Sequence, residues 1–245
     1  MTADPVLAAI RLTTQLNARL WTTDSTPPAS PEVTAHLITG DDAAHHVVDA
    51  ESRLGLDPLH ANELGPALSA AALLEPTGWV LVLPRPGHLA ALRGPVPTNT
   101  AALAAGAAVL SRTAGAAWVP TVVGAAIQWT IHPAAAPGGA PGPSDAERAL
   151  SEAMVAATRE LHELDVAGGA RPDRPGGVRL PKAYGQRRQH SLDRGLLLHQ
   201  ACSAALEDDG SALSSFEMER RRAALTPLVG LSADVVAAAC STPPN

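Results

Sequence analysis

From residue 5 to 22 the chain reads PVLAAIRLTTQLNARLWT, with Val6, Ala9, Ile10, Leu16 and Leu20 on one stripe and Thr13 as its single polar interruption. That spacing predicts a first helix. Pro27, Pro28 and Pro31 break it and lead into VTAHLIT, whose pattern fits a short edge strand. PALSAAALL from residue 66 predicts a short helix, and Gly78 then introduces WVLVLP, an apolar run bounded by Pro84 that predicts a buried strand. Two further strands are expected in AAWVPTVV at 116–123 and AIQWTIH at 126–132. In the second, Ile127, Trp129 and Ile131 alternate with Gln128, Thr130 and His132, the period of a sheet with one wetter face. The link between them is too short for a crossover and predicts a hairpin, in which Pro120 implies a bulge or an unpaired edge.

The passage from Arg85 to Leu110 is polar first and Ala-rich afterwards; its latter half predicts a helix capped by Thr98 or Thr100. Such a helix would let the WVLVLP strand run parallel to its successor. PAAAPGGAPGPS at 133–144 is rich in breakers and ends in Ser144, three residues before Glu147, a capping-box spacing ahead of DAERALSEAMVAATRELHELDV. A second long helix is expected in QRRQHSLDRGLLLHQACSAALED, ended by DDGS and paired antiparallel with the first. Ser214 and Glu217 predict another capping box, and Ser232 is read as the cap of a last short helix. The fold class is α+β, or α/β: a small mixed or antiparallel sheet covered by helices, with a mainly helical C-terminal half. The division expected is a mixed region at 1–135 and a helical region at 144–245, either a separate bundle or a cover on the same core.

Composition narrows the function classes. The 245 residues, 46% hydrophobic and 17% charged, suffice for one sizeable core or two small domains. Ala occupies 49 positions and Lys182 is the only lysine, a bias that weakens alanine as a helix signal. The net charge of -6, with eight acids against three arginines in residues 1–60, argues against a nucleic-acid partner. Two cysteines, Cys202 and Cys240, are too few for a disulfide scaffold and point to a reduced, cytoplasmic protein. The apolar stretch at 101–110 is too short to span a membrane, so no membrane role is expected. The four tryptophans are read as fillers of a core built mostly from Ala, Leu and Val.

GWVLVLPRPG, the segment TNTAALAAG, SDAERALSEAMVAATRELHELDV and LEDDGSALSSFEMERRRAALTPL together carry a resemblance over the whole chain. The chain resembles a group of conserved actinobacterial proteins of undetermined activity. The resemblance implies a cytoplasmic bacterial protein and brings over no catalytic residue.

Nucleotide-binding glycine loops, the zinc-protease helix motif, the serine nucleophile elbow and paired C-x-x-C motifs do not occur in the sequence. No cofactor is therefore indicated. The best small-anion candidate is RPGHLAALRG, where Arg85, His88 and Arg93 surround a turn ahead of a helix whose free N–H groups begin near Thr98. Asp41, Asp42, His45, His46 and Asp49 form the densest set of potential metal ligands, but their spacing equally suits a loop with acids leading into a helix, and no metal site is assigned. Cys202 lies three residues after His199 among leucines, which favours a core position over a catalytic pair. Arg187–Arg188 and Arg220–Arg222 sit among acids on predicted helices and read as solvated surface. The function expected is that of a non-enzymatic binding or regulatory protein, touching a second copy of itself or another bacterial protein through its C-terminal helices. The alternative is an enzyme or sensor taking a phosphorylated or carboxylated ligand near Arg85, His88 and Arg93.

Overall fold

The computed structural model describes residues 3–21, 29–113, 115–164, 177–207 and 214–243. By their contacts these fall into two compact units. The first comprises residues 1–140 with 180–185 and 240–245, and the second comprises 141–179 with 186–239. The TDSTPP breaker after the first helix and the DDGS expected to end the second long helix lie outside the described residues.

The first unit holds α1 (Pro5–Leu20), α2 (Pro31–Thr39), β1 (His45–Val48), β2 (Asn62–Glu63), α3 (Leu64–Leu74), β3 (Trp79–Val82), α4 (Val96–Ala105), β4 (Ala108–Ser111), β5 (Gly115–Val123) and β6 (Ala126–Ala134). The strands form one mixed sheet in the order β2-β1-β6-β5-β4-β3, parallel only between β1 and β6. The expected hairpin is β5–β6, closed by a two-residue turn in which Gly124 has φ +64°. Pro120 lies where β5 runs past the end of β4, so its missing N–H costs the ladder nothing on that side. Two expectations are overturned. VTAHLIT is not a strand: it is the body of α2, with Pro31 at its start and the Ser30 hydroxyl accepting the Val33 N–H at 3.3 Å. The Ala-rich 101–110 run is not one helix, because Gly106 adopts φ +71°, closes α4 and releases AVLS into β4. β4 thus enters between β3 and β5, antiparallel to both, so the WVLVLP and AAWVPTVV strands run in the same direction, as expected, but do not pair with each other.

Each face of this sheet has its own cover. Val80, Val82, Ala108, Leu110, Ala117 and Val119 form one apolar face, against which Ala102 of α4 and Ala91 and Leu92 pack. The other face carries Trp79, Trp118 and Trp129, all fully buried, in successive edge contacts with ring centroids 6.3 and 6.2 Å apart. α1 lies against β3, β4 and β5 on this side, and α2 bridges α1 and α3. Three of the four tryptophans thus fill the core, while Trp21 is half-buried at the end of α1, its ring 5.2 Å from that of Tyr184.

β3 is an edge strand, and side chains close its open side. The Asn17 amide accepts the Trp79 N–H at 2.7 Å and donates to the Trp79 carbonyl at 2.9 Å, while the Ser241 hydroxyl accepts the Leu81 N–H at 2.9 Å. An edge covered in this way cannot recruit another strand. Glu75 pins the turn before β3: its carboxylate, sealed from solvent, accepts the Thr77 and Thr113 hydroxyls and their N–H groups. Burial raises the pKa of Glu75, but the Thr113 and Thr77 donors outweigh it and hold the group below the usual glutamate value.

The second unit contains α5 (Pro143–Leu164), most of α6 (Gly185–Glu207) and most of α7 (Ser215–Ser241). Glu147 of α5 meets Ser191 of α6, and Ser151 meets Arg194, so both chains ascend together. α5 and α6 are thus parallel rather than the antiparallel pair expected. α7 runs against both, with Arg220 on Glu160 of α5 and Val229 on His199 of α6. Leu150, Ala157, Cys202, Leu225, Leu228 and Val235 form the core. Gly195 allows α6 and α7 to approach closely, since a β-carbon there would stand 2.9 Å from the Val236 side chain and 3.3 Å from the Ser232 carbonyl.

Two of the three capping expectations in this unit change. Ser144 lies inside the first turn, because Pro143 already begins the helix. Ser232 is interior to one continuous 27-residue helix, where its hydroxyl donates to the Val229 carbonyl at 3.0 Å. The Ser214–Glu217 box forms reciprocally, at 3.2 and 3.0 Å. Among the described residues, α7 is the one helix long and apolar enough to cross a membrane, and Leu225, Leu228, Val235 and Ala238 use that apolarity in the core.

Candidate functional site

Arg85 and His88 are brought together as a tight turn. The Arg85 N–H reaches the His88 carbonyl at 3.0 Å and the His88 N–H returns to Arg85 at 2.8 Å, with Gly87 between them at φ +80°. The imidazole folds back on the loop, where Nδ1 accepts the Ala90 N–H at 3.2 Å. Arg85 Nη1 is shielded from solvent and has no hydrogen-bond acceptor among the described residues.

Arg93 sits apart from this turn. Its Nη1 donates to the carbonyls of Ala90 and Leu92, and its guanidinium lies against Gly138, where a β-carbon would collide with it. It borders a cleft of about 260 Å³ whose other walls include Arg53, Gly94, Gly115, Pro133 and Ala135. Arg85, His88 and Thr98 are not among the residues lining that cleft. Thr98 is fully buried in the first turn of α4 and donates its hydroxyl to the Pro133 carbonyl at 2.7 Å, so it ties helix to sheet and does not cap. The cap position belongs to Pro95, and Pro97 removes one of the free N–H groups expected at this helix start.

Arg53 had no signal in the sequence: it stands alone, some forty residues from Arg93. It reaches the cleft because Asp49, wholly buried, accepts the N–H groups of Arg53, Leu54 and Leu56 at 2.7, 2.9 and 3.2 Å and so shapes the loop after β1. Glu51 pairs with Arg53 through one oxygen, at 3.0 and 3.2 Å. His132, on the half-buried part of β6, is held below the usual histidine pKa by burial, against an opposing pull from Glu51.

The acidic and histidine cluster has separate tasks. His45 is in β1, not on a helix; its Nε2 faces Asp42 at 3.0 Å and its Nδ1 accepts the Trp129 indole N–H at 3.2 Å. Asp42 also receives Arg11, which reaches the carbonyls of Ile38 and Thr39 at the end of α2. His46 points to the opposite, exposed side of the strand. Among the described residues, no three such side chains converge as they would around a metal ion. Cys202 is a core residue whose thiol is pushed up in pKa by burial, and His199 turns to the Val229 carbonyl.

In the helical unit a second concavity, of about 320 Å³, lies between α5 and α7. Ala153, Ala157, Ala224 and Pro227 line it, with Glu160 and Arg220 at one end. Arg220 pairs there with Glu160 and Glu163 and lies 5.7 Å from the centre of the Phe216 ring.

Residues 17–147 match the model of the N-terminal domain of Rv1486c-like proteins, and residues 144–233 match the model of their C-terminal domain. The chain belongs to the Rv1486c-like protein family. The actinobacterial resemblance read from the sequence is that family. The Rv1486c-like domain boundary falls at 144–147, just inside α5. No curated protein and no solved structure matches the chain.

Proposed function

We propose that this Rv1486c-like protein is a non-enzymatic binding protein of the cytoplasm that works through protein–protein contacts, its helical unit docking on the same unit of a second copy. The observation that carries this reading is the α5–α7 groove. Its floor of alanines lets the backbone of an incoming helix approach closely, and Phe216, 63% exposed, adds apolar surface one turn along α7 from Arg220. The charged residues lining the groove, Glu160 of α5 and Arg220 of α7, pair with each other within one copy and leave the alanine floor uncharged. A two-fold contact sets the small-residue groove of one copy against the same groove of the other, the isologous arrangement of a closed dimer. The cytoplasmic assignment is supported by Cys202 and Cys240, both buried thiols.

Sedimentation equilibrium of the full chain tests the reading. Ala156→Glu and Ala223→Glu each place a charge on an exposed position of the groove without entering the core. The expected result is a dimer for the parent and monomers for both variants, with unchanged far-ultraviolet circular dichroism. A parent chain that stays monomeric at hundreds of micromolar removes this function.

A further inference from the structure

The cleft between Arg53 and Arg93 has the chemistry of an oxyanion site, and it lies wholly within the first unit. Both of its charged lining residues are arginines, and no carboxylate is among the residues that line it. The two guanidiniums come from the loop after β1 and the loop before α4, segments far apart in sequence that the sheet brings to one place.

Each arginine is held in position before any ligand arrives. The loop of Arg53 is fixed by the three N–H groups that Asp49 gathers. Arg93 is fixed by two carbonyls and seated on Gly138, whose own N–H is anchored to the Ala91 carbonyl at 2.8 Å. Donors ordered in advance lose little freedom on binding. The remaining walls leave room: at Gly94 and Gly115, with φ +107° and +128°, a β-carbon would meet nothing within 4 Å.

We propose that this cleft binds a phosphoryl group, either as inorganic phosphate or as the phosphate of a small monoester. A guanidinium carries five N–H donors, and the single Glu51 oxygen occupies only the Nε and Nη2 of Arg53. A phosphoryl dianion offers three or more acceptor oxygens and can take the remaining donors of Arg53 together with those of Arg93. The volume, about 260 Å³, lies under the range of about 300–1,000 Å³ usual for drug-sized ligands. It admits a phosphate and a short organic tail. Glu51 is then the competing anion: it neutralises Arg53 in the empty site and is displaced, still half exposed to water, when the ligand binds.

Isothermal titration of the full chain at low ionic strength with inorganic phosphate, glycerol phosphate and succinate tests the assignment. Saturable one-to-one binding of either phosphate compound is expected, and tighter binding of glycerol phosphate identifies a monoester as the ligand. Arg53→Gln and Arg93→Gln should each weaken it by about tenfold or more, the loss of one charge-assisted contact. Arg93→Gln also removes bonds to the loop, but Arg53 is exposed and its replacement leaves the fold intact. Glu51→Gln should act in the opposite direction and tighten binding, a sign that damage to the loop would not produce. The proposal is overturned if neither phosphate compound saturates, if both arginine variants bind like the parent, or if succinate binds as tightly as the phosphates.

Discussion

Asn17→Ala tests whether the edge of the sheet is held by a single side chain. The Asn17 amide makes three bonds in a site sealed from water: from the Trp79 N–H at 2.7 Å, to the Trp79 carbonyl at 2.9 Å, and to the Cys240 carbonyl at 3.2 Å. The Cys240 carbonyl keeps the Tyr184 hydroxyl at 2.8 Å, so its loss is cushioned. Trp79 has no such reserve, because the antiparallel ladder with β4 uses neither its N–H nor its carbonyl on that side. Two orphaned backbone groups, at about 1–3 kcal/mol each, give an expected loss of about 2–6 kcal/mol. Against the 5–15 kcal/mol typical of whole domains that is a large fraction of stability. All four tryptophans belong to the first unit, so fluorescence during urea unfolding reads that unit alone. The variant should move the fluorescence midpoint well to lower urea, and Asn17→Asp, which keeps the acceptor for the Trp79 N–H but loses both donated bonds, should also destabilise. A loss below about 0.5 kcal/mol for Asn17→Ala would mean that water satisfies the edge as well as the amide does, and the argument from burial would fall.

His45 gives a second prediction. The Trp129 indole can only donate, so Nδ1 of His45 must accept and the proton resides on Nε2, facing Asp42. Burial holds its pKa below the ordinary 6.5, with Asp42 pulling the other way and Arg11 and His46 adding to the depression. The unfolded chain therefore takes up the proton first, so the contribution is complete above about pH 6.5 and is lost as pH falls toward the folded value. Urea midpoints measured from pH 7.5 to 5 should fall in the parent and slope less in His45→Asn; parallel slopes would contradict this. Gly195→Leu should cost the helical unit about 1–3 kcal/mol by forcing α6 from α7, read as an earlier circular-dichroism transition with the tryptophan signal unmoved.

Much of the local structure was determined by the sequence itself. The alternation in AIQWTIH is set by the two-residue period of a strand, and it marked the half-exposed row that His132 occupies. The apolar run WVLVLP, the β5–β6 turn and the Ser214–Glu217 box depend on neighbours within a few residues, and each formed as those neighbours dictate. Where local signals were ambiguous, tertiary contacts chose. VTAHLIT has strand-like residues, but Ser30 and Pro31 start a helix there, and Arg11, 27 residues upstream of Ile38, closes its far end. The alanines of 101–110 continue a helix equally well as they fill a buried strand, and the left-handed turn at Gly106 together with the open side of β5 decided for the strand. Helix direction in the second unit was equally hidden, because an apolar stripe is the same read either way along its partner.

The candidate sites divide along the same line. Arg85, His88 and Arg93 were visible because they are close in sequence, yet the structure gives Arg85 and His88 to a turn and Arg93 to a different cleft. Arg53 joins Arg93 only through the parallel pairing of β1 with β6, which brings the loop after β1 beside Pro133. A chain read in one dimension shows which residues can carry charge or form a helix; which of them share a cleft depends on contacts between segments dozens of residues apart, and those are decided by the packing of the sheet and its helices.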